Sequence, residues 1–115
     1  MESTLSERLR AFVVETLRFL SDPKQQLSHP SDGYLVSGEL FNQWQDVYSP
    51  GGAFDEGFTE YELAALREYD ALQNQVADAT PYKLPSIESF QKTEHWKKLS
   101  DAARRTLVRL GEIPP

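Results

Sequence analysis

An all-α fold is what this sequence predicts: a compact, irregular bundle of four main helices plus a short fifth, with long loops between them. Three observations carry that expectation. Apolar residues recur at steps of three and four in four separate stretches, helix-start signatures stand in front of those stretches, and the one candidate extended piece, Tyr34-Leu35-Val36, is too short to make a sheet. Proline and glycine clusters separate the stretches and mark the loops.

The first helix is expected over about Leu5 to Leu20. Thr4-Leu5-Ser6-Glu7 has the form of a capping box, and Leu5, Leu9, Phe12, Val13, Thr16, Leu17 and Leu20 draw one stripe. Asp22-Pro23 should stop it, because proline disfavours a helical residue before it. Residues 23–36 then read as a loop, dense in Pro23, Pro30 and Asp32-Gly33, with Tyr34-Leu35-Val36 as a brief extended piece. Ser37 is placed to cap a second helix from about Gly38 to Tyr48, with Val36 and Phe41 at the two hydrophobic-staple positions. Its apolar face is Leu40, Phe41, Trp44, Val47 and Tyr48, and Ser49-Pro50-Gly51-Gly52 ends it.

Thr59-Glu60-Tyr61-Glu62 is a second capping box, with Phe58 and Leu63 at its staple positions, and predicts a third helix from about Glu60 to Ala77. Ser86 can cap a short turn holding Ile87 and Phe90. Thr93 can cap the last helix, whose stripe of Trp96, Leu99, Ala103, Leu107 and Leu110 runs unbroken to Gly111, a residue suited to a C-terminal stop. The whole chain, residues 1–115, is expected to be a single domain.

Composition narrows the function. There is no cysteine, which removes disulfides and thiolate metal sites. Met1-Glu2-Ser3-Thr4 lacks the basic start of a signal peptide, and no apolar run approaches the roughly 20 residues of a membrane span. A cytoplasmic protein with no membrane contact is therefore expected. His29 and His95 are far apart in sequence, with no His at i+3 or i+4 and no Glu-x-x-His pair, so no metal and no cofactor is expected. No nucleophile elbow or phosphate-cradling glycine loop appears. The chain is accordingly read as a non-enzyme.

Charge is distributed unevenly. The net formal charge is -6, yet residues 39–82 hold nine acids against Arg67 alone. Residues 83–115 hold seven bases against four acids, but an acidic chain repels phosphates at long range, so no nucleic acid is expected as partner. The acidic belt instead suits a basic protein partner, with carboxylates steering encounter and aromatic rings anchoring contact. The candidate partner-binding residues are Asp46, Tyr48, Phe54, Asp55, Glu56, Glu60 and Glu62. Trp44, Phe58 and Trp96 are assigned to the core; for Tyr48 and Phe54 core and interface both stand open.

In being small, acidic, cysteine-free and of one domain, the chain resembles in general character the immunity proteins with which bacteria neutralise their own toxic nucleases. That resemblance implies an inhibitor that covers a basic protein surface. The alternatives are a helical small-ligand-binding or regulatory module, with a pocket under the His29-Pro30-Ser31-Asp32-Gly33-Tyr34 loop lined by Trp44 or Trp96, and an enzyme with a carboxylate-based site.

Overall fold

Local start and stop chemistry sets most of the helix boundaries in the computed structural model, which describes residues 3–81 and 83–115. Seven helices form, with no strand among the described residues. Helix α1 runs Leu5–Ser21, α2 Pro23–Leu27, α3 Gly33–Val47, α4 Gly52–Glu56, α5 Glu60–Ala79, α6 Ile87–Phe90 and α7 Glu94–Arg109. Four are long, as expected, and three rather than one are short. Met1 and Glu2, on which the leader argument partly rests, lie outside the described residues.

Thr4 caps α1 by accepting from the Glu7 amide at 3.1 Å. At α5 the capping box is complete: Thr59 Oγ1 accepts from the Glu62 amide and Glu62 Oε1 accepts from the Thr59 amide. A cap of this kind contributes about 1 kcal/mol. Gly111, at φ +73°, closes α7 with Glu112 N donating to Leu107 O and Gly111 N to Val108 O, a bond pattern that needs a left-handed residue.

The loop expected over residues 23–36 is corrected. Asp22-Pro23 does end α1, but it also begins α2, since a proline in the first turn has no amide to lose and Asp22 Oδ1 accepts from the Lys24 and Gln25 amides. Helix α3 begins at Gly33, where Asp32 O accepts from the Leu35 and Val36 amides, so the extended piece at 34–36 is helical. Ser37 is no cap: it is buried inside α3, and its hydroxyl donates to Pro85 O at 2.6 Å. Residues 52–56, expected as loop, form α4, whose start is tied by Asp55 Oδ1 accepting from the Gly51 amide.

Helix α1 is central, packing against α7, α3 and α4, while α5 packs on α7 and α3 on α6. Because neighbours surround it on several sides, Val14 and Phe19 are buried although they fall outside the expected stripe. Leu5 and Phe12, inside that stripe, are about half exposed at 54% and 51%.

Candidate functional site

Four aromatic rings tie the end of α3, helix α4 and the start of α5 into one corner. Tyr48 stacks on Trp44 with ring centres 5.1 Å apart, Phe54 meets Tyr48 edge-on at 5.7 Å, and Phe58 lies 5.1 Å from Phe54. Trp44 is fully buried and its indole N–H donates to Asp70 Oδ1 at 3.0 Å. The aromatic residues of the expected interface are thereby separated. Phe54 is 1% exposed and belongs to the core, so its assignment to partner contact is corrected: the five-residue helix α4 turns the ring inward. Tyr48 is half-buried at the edge of the same cluster. Burial first, and then the Asp70 carboxylate, raises the Tyr48 phenol above its ordinary value, with Arg67 opposing.

The carboxylates separate in the same way. Asp46, Glu56 and Glu60 are exposed, and no ion pair engages them among the described residues. Asp55 is half-buried and caps α4. Glu62 is turned inward: both its oxygens accept from Arg10, at 3.0 Å each. It is a fastener within the fold, and its assignment as an exposed steering charge is corrected. Burial by itself would raise the Glu62 carboxyl; the bonds from Arg10 and Thr59 outweigh it and hold the group below its ordinary value.

Arg10 was not legible as a key residue. Besides Glu62 it donates to Gly57 O at 3.0 Å and Leu110 O at 3.1 Å, and its guanidinium lies 5.1 Å from the Phe58 ring centre. One side chain thus joins α1, the α4–α5 turn and the end of α7. In the sequence, an arginine on the polar side of an amphipathic helix carries no mark of that. Its hydrogen bonds to Glu62 raise the Arg10 pKa above its ordinary value, with burial opposing.

The other candidate chemistry is dispersed. His29 Nδ1 accepts from the Ser31 amide at 3.1 Å, and its ring packs 5.8 Å from Phe19. His95 is half-buried on α7. Among the described residues no group of three or more His, Asp or Glu is placed to hold a metal ion. Trp96 Nε1 donates to Gln26 Oε1 at 2.8 Å, so both tryptophans of the expected ligand pocket are engaged inside the fold; the Tyr34 side chain of that pocket lies outside the described residues. Open concavities lie instead beside α7, one against α1 and one against α5, with another along α1 at Glu112, and neither tryptophan lines these three.

No described helix is long and apolar enough to cross a membrane. Neither a protein-family model, nor a curated protein, nor a solved structure matches the chain.

Proposed function

We propose that this protein is a non-catalytic interaction module that captures a basic protein surface through the corner where α3, α4 and α5 meet, in the manner of an immunity-type inhibitor. One observation carries the reading. Asp46, Glu56 and Glu60 are exposed without ion pairs among the described residues, on elements held together by a ring cluster whose edge, Tyr48, is half-buried. Unpaired carboxylates on the elements that meet at a partly exposed aromatic ring attract cations at long range and give them an amphipathic surface on arrival.

The experiment is capture from native lysate at low and high salt, comparing the wild type with a D46K/E56K variant. Asp46 and Glu56 are chosen because Asp55 and Glu62 hold the fold. The expected result is one basic protein retained by the wild type, released by salt, and associating about tenfold more slowly with the variant. An empty column at low salt, or equal retention by both proteins, would overturn the reading.

A further inference from the structure

We propose that the furrow along α1, between that helix and the end of α7, is a docking groove for an extended basic segment of the partner protein. The inference rests on the reading of the protein as a capture module for a basic partner, but uses none of the corner residues.

Two concavities form the furrow. One of about 300 Å³ lies over Ala11 and Val14, between Glu7 and Glu112. The other, about 590 Å³, lies over Leu107 and Ile113, beside Asp22. Glu15 lines both and so marks where they meet. From Glu7 to Asp22 the helical rise gives a length of about 22 Å, the reach of roughly seven extended residues.

Val14, Leu107 and Ile113 give the furrow its apolar lining, Val14 and Leu107 being themselves buried, and its charged lining is Glu7, Glu15, Asp22 and Glu112 with Arg10, Arg18 and Arg104. Two of these arginines do not offset all the acids. Arg10 is bound by both oxygens of Glu62, and Glu112 is itself paired, with Arg10 at 3.7 Å and Arg18 at 3.6 Å, which leaves Glu7, Glu15 and Asp22 as the rim acids outside ion pairs among the described residues. Arg104 is the base on these walls with no ion pair among the described residues, and Glu15 is an exposed acid with none. An anionic ligand would meet more carboxylates than available cations. An extended segment that alternates apolar and basic residues fits both parts: one set of side chains turns to the apolar lining, and the long lysine or arginine chains lean to the rim acids.

The test titrates the ¹⁵N-labelled full chain with a synthetic heptapeptide alternating lysine and leucine, with a glutamate–leucine peptide and heptalysine as controls. The expected result is amide shifts at Ala11, Val14, Glu15 and Ile113 with the lysine–leucine peptide alone, and about tenfold weaker binding by an E15K variant whose spectrum shows it folded. Shifts centred on Asp46 and Glu56, equal shifts with heptalysine, or unchanged binding by E15K would overturn the groove. The same titration on D46K/E56K separates the two proposals. Groove shifts that persist there leave this inference standing even if lysate capture fails, whereas capture lost in D46K/E56K without groove shifts in the wild type overturns this inference alone.

Discussion

Replacing Gly57 by alanine sets two effects of opposite sign against each other. Gly57 sits at φ -81° and ψ -3°, a conformation open to any residue, so its backbone gives no reason for glycine. On that ground alone alanine should stabilise the protein by about 0.4–1 kcal/mol, through lower entropy of the unfolded chain. A Cβ at this position, however, would lie 2.7 Å from Ser6 O and 3.4 Å from Phe54 O. Both are backbone atoms, so no side chain can swing aside; α1 and the α4–α5 turn must move apart. That movement also stretches the bond from Arg10 to Gly57 O. Overpacking of this kind costs about 1–3 kcal/mol, leaving a net loss of about 1–2 kcal/mol. With an unfolding entropy of about 2.1 cal/mol/K per residue, each kcal/mol shifts Tm by about 4 °C at this chain length, so G57A should melt about 4–8 °C below the wild type. Thermal and urea unfolding followed by circular dichroism measure it. An unchanged or raised Tm would refute the close approach of α1 to this turn.

Two further substitutions probe the internal polar contacts. Because Arg10 holds the Glu62 carboxyl below its ordinary value of 4.5, the unfolded chain binds more protons than the native one around that pH. Stability from this pair is present above the unfolded value and is lost as pH falls through the folded one, so urea midpoints should drop on acidification below about pH 5, and less steeply in E62Q; parallel pH profiles would exclude Glu62 as a contributor. Gln26, fully buried, donates to Phe19 O at 2.8 Å and accepts from Gln91 Nε2 at 3.0 Å and Trp96 Nε1 at 2.8 Å. Q26L keeps the volume but strands the Trp96 indole N–H, while Phe19 O still accepts from the Asp22 amide and Gln91 Nε2 still donates to Pro23 O, so it should cost about 1–3 kcal/mol in urea unfolding, and a midpoint equal to that of the wild type would show that the clasp contributes nothing.

What was legible in the sequence was whatever depends on neighbours in the chain. Thr4, Thr59 and Thr93 cap the helices they precede, and Gly111 closes α7, because each of those effects is decided within one turn. Ser37 shows the limit. Its cap-like chemistry is real, but Pro85, 48 positions away, supplies the acceptor its hydroxyl uses, and α3 runs straight through it. Asp22-Pro23 shows another: the residues that end one helix are equally good at starting the next, and sequence alone does not say how soon the next begins. Phe54 was ambiguous because five residues of helix between glycines are too few to display a period, yet they decide which way the ring points.

The same distinction changes how the acidic belt acts. Counted along the chain, nine carboxylates stand against one base over residues 39–82, which suggests a uniform negative surface. In the fold the belt divides by task. Glu62 answers Arg10, Glu68 answers Arg109, Asp70 holds Trp44 and Asp55 holds the start of α4. The two ion-paired acids draw their partners from α1 and α7, outside the belt, so part of the charge imbalance along the sequence is cancelled across helix interfaces. Asp46, Glu56 and Glu60 are then the exposed carboxylates of these elements outside ion pairs among the described residues, with Arg67 opposing them beside Tyr48, and on the proposed reading reversing two of them should change association more than reversing any two of the engaged carboxylates, whose loss would first appear as instability. On the proposed reading stability and encounter rate are therefore separable on this surface, and measuring both for each variant distinguishes a charge that holds the fold from one that would meet a partner.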